Sequence, residues 1–350
     1  MKNRFKTNNN TAISDPSDYN RCTPKTFGNT LQEYKNIYEN NALANISGHG
    51  IIKVMGQDAL DLLNRLSTNK LINLDAGQGI ATILTNNKGR IIDLIRVINT
   101  GQELILITNP NTTQRIIEWM DLYTFDEDIE VDDITPKTSL LSISGEIIKS
   151  ILNENSTTIS NLYQNEQIVI DGHQVTIIKT DRFGLESFDI LMDNSLTNDV
   201  WNSLIECGFS PVGSDSLEIV RIEQGVPKHG TELGENYNPL EAGLENHISD
   251  SKGCYIGQEV ILRLNTYQKV QKRLRGIVLL DEPDMNSSQI EVDGKQVGLI
   301  TSYAMSPILG KPLALGYLKS SNAEIDQEIN IMAKHLEIKG KIIELPLKYK

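Results

Sequence analysis

From Leu43 onward the apolar positions fall in short blocks whose period changes along the chain. Ile51–Met55 (I-I-K-V-M) predicts a strand, and Gln57–Leu66 gathers Leu60, Leu62, Leu63 and Leu66 near one helical face. Ile80–Thr85, Arg90–Asn99 and Glu103–Thr108 predict three further strands, the first two joined by a turn at Asn86–Gly89; Asn111–Met120 predicts a helix. A second pass follows the same plan. Ser139–Ile143 predicts a strand, Gly145–Leu152 a helix, Gln167–Thr180 two strands around Asp171–Gly172, Phe188–Met192 a strand and Thr197–Cys207 a helix. The two passes suggest a duplicated module. Local antiparallel pairing with helices laid on the sheet is an α+β pattern rather than strict βαβ winding. After Leu274 the runs Arg275–Leu280, Gly298–Tyr303 and Ala314–Leu318 predict a small terminal all-β barrel or sandwich. Trp119 and Trp201 fall on amphipathic helices and belong to the core by that placement.

Length and charge narrow this. The 350 residues suit two or three domains. The formal net charge of −13 opposes the simplest nucleic-acid reading, because phosphate binding needs a basic surface. Apolar runs are far too short for a membrane helix, and the Asn-rich start lacks the apolar core of a secretory signal, so the cytoplasm is the expected location. Residues 1–30 read as a loosely attached tail. Cys22, Cys207 and Cys254 form no C-x-x-C pair, which argues against a disulfide framework. His49, His173, His229, His247 and His335 lack metal-ligand spacing. No G-x-G-x-x-G or G-x-x-x-x-G-K-[ST] follows a strand, so a nucleotide-phosphate loop is not expected.

The densest chemistry is Ser251–Arg263, S-K-G-C-Y-I-G-Q-E-V-I-L-R. Gly253 and Gly257 bracket Cys254 and suggest a turn closed to other residues, with a helix from Gln258 to Leu264. A cysteine ahead of a helix start and beside Lys252 has two sources of positive potential that favour the thiolate. The alternative is a small buried hydrophobe.

K-G-C-Y-I-G-Q-E at Lys252–Glu259 resembles the signature of the YgfZ family of folate-binding proteins, related to the glycine-cleavage T-protein, an aminomethyltransferase. R-I-E-Q-G-V-P at Arg221–Pro227, N-P-L at Asn238–Leu240, D-R-F-G at Asp181–Gly184 and the segment Gly298–Tyr317 are similar to the same group. The resemblance implies a T-protein-like arrangement of three subdomains around a central folate hole, with a C-terminal β-barrel. On that division, residues 31–272 form the folate-binding α+β region and residues 273–350 the barrel. It implies tetrahydrofolate as cofactor and iron–sulfur proteins as clients, with no nucleic acid and no membrane as partners.

The resemblance also implies roles for single residues. Gly89–Ile95 (G-R-I-I-D-L-I) matches the T-protein segment G-G-[VI]-[IL]-D-D-L, which makes Asp93 the candidate catalytic and folate-binding carboxylate. Leu94 takes the place of the second aspartate, and alternation along a strand points the two positions to opposite faces. A surface carboxylate at a strand edge is the competing reading of Asp93. The T-protein glutamate for the pterin edge falls on Leu185, and Glu186 is one residue late, which weakens an aminomethyltransferase reading. Arg221 matches a folate-contacting arginine, suited as a fork donor; an ion pair with Glu218 or Glu223 is the alternative. Lys252, Tyr255, Gln258 and Glu259 are candidate folate contacts, and Cys254 is the candidate functional thiol. Lys269, Lys272, Arg273 and Arg275 form a basic run that suits either a solvated linker or an anchor for the polyglutamate tail of folate. The function expected is a folate-binding accessory protein for iron–sulfur cluster assembly, with a folate-dependent aminomethyl- or methyltransferase as the alternative. A non-catalytic folate-binding module is a third reading.

Overall fold

A computed structural model describes residues 23–283, 289–333 and 336–349. The chain runs α1 (Thr30–Glu39), β1 (Ala42–Asn45), β2 (Gly50–Met55), α2 (Ala59–Leu66), β3 (Gly79–Thr85), β4 (Ile91–Asn99), β5 (Leu104–Thr108), α3 (Thr113–Leu122) and β6 (Glu130–Asp133). It continues through β7 (Thr138–Ser144), α4 (Ile147–Glu154), β8 (Asn165–Ile170), β9 (His173–Thr180), β10 (Ser187–Asp193), α5 (Thr197–Glu206), β11 (Ser210–Pro211), α6 (Ser214–Glu223) and α7 (Gln258–Thr266). The last part is all β: β12 (Lys272–Leu279), β13 (Gln289–Val292), β14 (Lys295–Ser306), β15 (Lys311–Lys319), β16 (Glu328–Ala333) and β17 (Leu336–Ile343).

These elements form a five-stranded sheet β3-β4-β5-β2-β6, a six-stranded sheet β11-β1-β7-β10-β9-β8 and a closed barrel β12-β15-β14-β13-β16-β17. The duplication expected from the two passes is visible in the pairing. In each open sheet the strand that opens the pass lies antiparallel to the last strand of the three-strand meander, β2 to β5 and β7 to β10. Only the far edge differs: β6 pairs with β2, whereas β1 lies between β7 and the parallel strand β11.

The chain divides into two compact units. One holds the described parts of Met1–Leu63 with Leu71–Ala81 and Ile95–Leu217; the other holds Asn64–Lys70, Thr82–Leu94 and the described parts of Glu218–Lys350. In the first unit, Ile148, Ile151 and Leu152 of α4 and Val200, Trp201 and Leu204 of α5 recur at helical spacing, so one stripe of each helix is apolar. They pack on Leu141, Ile143, Ile168, Ile177 and Ile190, which project from alternate positions of the sheet. The second unit contains the barrel, whose interior is filled by residues such as Ile277, Leu279, Ile290, Ile300, Leu318, Ile331 and Ile342. Apart from that interior, Ile83, Ile91, Leu233, Ala242 and Leu244 form a second small core with Leu94 against it.

The predicted strands and helices are present with ends shifted by one to three residues. Helix α1 starts where the expected tail ends, at Thr30, capped by the Asn29 side chain on the Gln32 N–H. Trp201 is fully buried and Trp119 half-buried, and each keeps its indole N–H without a partner. Most of the expected tail, Cys22 and His335 lie outside the described residues.

Candidate functional site

The K-G-C-Y-I-G-Q-E segment forms the loop into α7, and its shape is set by contacts within the second unit. The Ile256 N–H donates to Arg65 O at 3.1 Å, and Thr85 Oγ1 donates to Ile256 O at 2.6 Å. Gly257 caps α7 with φ +84°, and a Cβ there would lie 2.6 Å from Asn86 O and 2.9 Å from Gly89 Cα. Glycine is therefore required by both the backbone angle and the approach of the β3–β4 turn. Gly253 needs no such licence: its φ is ordinary, and a Cβ added there would meet no atom within 4 Å. Of the two bracketing glycines, only Gly257 enforces the turn.

Lys252 is buried to 8% exposure and its ammonium donates to three carbonyls, Asn64 O at 2.6 Å, Ser67 O at 2.6 Å and Asn69 O at 2.5 Å. An ammonium has three donors, and all three are used. Lys252 therefore closes the 64–69 segment with all of its donors. Burial lowers its pKa from the ordinary range to about 8. Cys254 is exposed, so the buried-hydrophobe reading fails, and it lies ahead of α7 rather than in its first turn. Tyr255 is a core residue beside Leu240 and Ile261, with its ring 5.2 Å from Lys252 Nζ. Its hydroxyl is buried without a hydrogen bond, and desolvation, then Asp250, pushes its pKa up to about 12. Gln258 is half-buried and reaches back to Gly253 O at 3.5 Å; Glu259 is exposed.

Arg221 on α6 is 5% exposed. Its Nε and Nη2 donate to the two Glu218 oxygens at 3.0 and 2.6 Å, and Nη1 donates to Val226 O at 2.6 Å and Glu232 Oε2 at 3.2 Å. Glu232 is wholly enclosed; it also accepts from Lys228 N, Thr231 Oγ1 and Ser302 Oγ of β14. The Arg221 fork is thus taken up by protein acceptors. Of the two ion-pair partners considered, Glu218 is present, while Glu223 instead accepts from Ser306. Glu232 carried no signal in the sequence, since its partners are distant in the chain.

Asp93 sits on β4, is fully buried, and accepts from the Leu94 N–H at 2.9 Å. β4 lies between β3 and β5, so the strand-edge surface reading of Asp93 is overturned. Leu94 is half-buried against Leu233, Ala242 and Leu244. The neighbouring carbonyl Ile92 O meets His229 Nε2 at 3.2 Å, and Ile91 N–H donates to Tyr237 O at 3.0 Å. Tyr237 stacks on Tyr317 with ring centres 3.7 Å apart and carries Lys272 Nζ at 5.6 Å from its centre. Lys269 and Lys272 are exposed, whereas Arg275 is held by Ala323 O and Leu274 O. In the first unit, Leu185 is half-buried among apolar neighbours, and exposed Glu186 pairs with Lys179 at 2.9 Å. Glu186 thus does not take over the role of the missing glutamate. Among the described residues no three His, Cys, Asp or Glu side chains are grouped to hold a metal ion, and no helix is long and apolar enough to cross a membrane.

Comparison with known proteins covers nearly the whole chain. Residues 4–252 match the GCVT N-terminal domain, and residues 272–348 match the glycine cleavage T-protein C-terminal barrel domain. A protein of Arabidopsis thaliana named as a putative chloroplastic transferase is 34% identical over 308 residues, 87% of this chain and 70% of that protein. An aminomethyltransferase of Caldanaerobacter subterraneus is 27% identical over 331 residues, 92% of this chain and 88% of that protein. The crystal structure of glycine cleavage system aminomethyltransferase T from Bartonella henselae superposes with a TM-score of 0.81 at 20% identity, covering 91% of this chain and 89% of that one.

Proposed function

The chain belongs to the glycine cleavage T-protein family, with its fold and its closed six-stranded C-terminal barrel, and from that premise we propose that it is a tetrahydrofolate-dependent one-carbon transferase. The observation that carries the proposal is Asp93. It is a carboxylate enclosed on an inner strand, at the position where the family segment holds an aspartate, with its Oδ1 oriented by the Leu94 N–H. An enclosed carboxylate fits the N–H donors of a reduced pterin, because low surrounding polarity strengthens a charge-assisted hydrogen bond. Tetrahydrofolate, when bound, supplies the ring nitrogen that takes the one-carbon unit. Asp93 accepts and holds the proton during that exchange, and the strand fixes its direction. Lys269 and Lys272 are exposed cations suited to the folate carboxylates.

The test is turnover with a labelled one-carbon donor on tetrahydrofolate. Asp93→Asn should lower kcat by about 10²-fold or more, the usual scale for a positioned acid–base group, while the protein still binds folate. Undiminished kcat would remove Asp93 from the chemistry.

A second reading, a folate-binding accessory protein of the YgfZ type serving iron–sulfur proteins, is favoured by one feature. Cys254 is exposed on a loop held rigid by Lys252 and Gly257. In a strain lacking its homologue, this reading requires rescue by the wild type and failure by Cys254→Ala.

A further inference from the structure

Arg96, on β4 within the first unit, is 9% exposed, and its buried Nε has no hydrogen-bond partner. Among the described residues its guanidinium forms no hydrogen bond and no ion pair. Its charge acts on three neighbours, His49, Tyr163 and Arg182. Each of these already has its partner. Arg182 is paired with Asp189, which is fully buried, through Nε at 3.1 Å and through Nη2. Arg182 Nη1 donates to His49 Nε2 at 3.3 Å, and His49 Nδ1 donates to Thr108 O at 2.8 Å. That tautomer leaves His49 neutral, in keeping with a pKa that burial and then Arg182 push well below 6.5. Tyr163 Oη donates to exposed Asp181 at 2.9 Å. The buried groups therefore carry two guanidinium charges against one carboxylate, and the other acid of the cluster, Asp181, is exposed and bonded to Tyr163.

A guanidinium whose Nε is shut off from solvent without an acceptor is costly to enclose unless something pairs with it. Its planar fork matches the two oxygens of a carboxylate. The surplus is a single charge, and neither neutral His49 nor the Tyr163 phenol can match the second charge of a phosphate. We infer that Arg96 is the receptor for a carboxylate on a ligand, with Tyr163 and Arg182 framing it. The sequence is silent here, because Arg96 looks like one charged residue in an apolar strand.

The inference goes beyond the folate reading and is tested apart from it. Thermal unfolding of the full chain is followed in sodium acetate, glycine, glutamate, tetrahydrofolate and tetrahydropteroate, with sodium chloride and sodium phosphate at matched ionic strength. Carboxylates should raise the unfolding temperature of the wild type above the chloride control, by linkage of binding to folding. Arg96→Met should abolish that rise, and Arg96→Lys should retain part of it with affinity lowered about tenfold. Arg96→Met replaces an unpartnered charge by an apolar chain of similar length and should fold. If glutamate and tetrahydrofolate act through Arg96 while acetate, glycine and tetrahydropteroate do not, the carboxylate is that of the folate tail. If acetate or glycine acts, it belongs to a small free acid. Equal shifts in wild type and Arg96→Met, no shift from any carboxylate, or an Arg96-dependent shift from phosphate alone would each overturn the assignment.

Discussion

A guanidinium enclosed to 5% exposure must find its acceptors inside the protein, and Arg221 does so with Glu218, Glu232 and Val226 O. Removing it leaves the Glu232 carboxylate buried without its countercharge. Arg221→Met should therefore cost about 3–5 kcal/mol of folding stability, measured as a lower denaturant midpoint, with folate affinity of the folded protein unchanged. A selective loss of folate affinity at full stability would instead assign Arg221 a ligand role. His49 sets a pH dependence. Its folded pKa lies well below 6.5, so the unfolded chain binds this proton first as pH falls. The stability that neutral His49 contributes is complete above about pH 6.5 and is lost as pH falls towards the folded pKa. The groups that press on it are Arg182 and Arg96, with the Thr108 carbonyl opposing them. His49→Gln should flatten that part of the stability curve, in urea titrations from pH 7 to pH 5. An unchanged slope would show that another group titrates there.

At the scale of the element, the loop before α7 depends on one glycine. Gly257→Ala should cost about 1–3 kcal/mol, because a positive φ and a close backbone carbonyl both oppose a Cβ. Gly253→Ala should stay within about 0.5 kcal/mol. A comparison of the two midpoints checks the pair, and equal losses would show that the turn is enforced elsewhere. The sequence marked both glycines, since spacing alone does not reveal which one a neighbouring turn approaches. It marked Lys252 as well, but three carbonyl partners from a segment nearly two hundred residues away are not legible in a local motif. Periodicity worked where an element has one buried face, as in α4 and α5. It missed β1 (A-L-A-N), which is buried throughout, and β13, whose four residues are too few to show a period. It also missed α6, where Arg221 pairs with Glu218 of the same helix and with buried Glu232 beyond it, and these charged positions interrupt the apolar stripe.

Across the whole molecule, family membership rests on matches over residues 4–252 and 272–348. The duplication was legible because each pass repeats the same order of strand, helix and meander. The enclosure of Asp93 was not, because strand alternation offers two faces and only the tertiary fold buries both. Against the net charge of −13, Lys269 and Lys272 are two neighbouring exposed cations. The central claim is that this chain binds tetrahydrofolate, and equilibrium binding to the purified full chain tests it most directly. Saturable binding that weakens with added salt is the predicted result. No binding up to about 1 mM, the range of a 4 kcal/mol interaction, would contradict it.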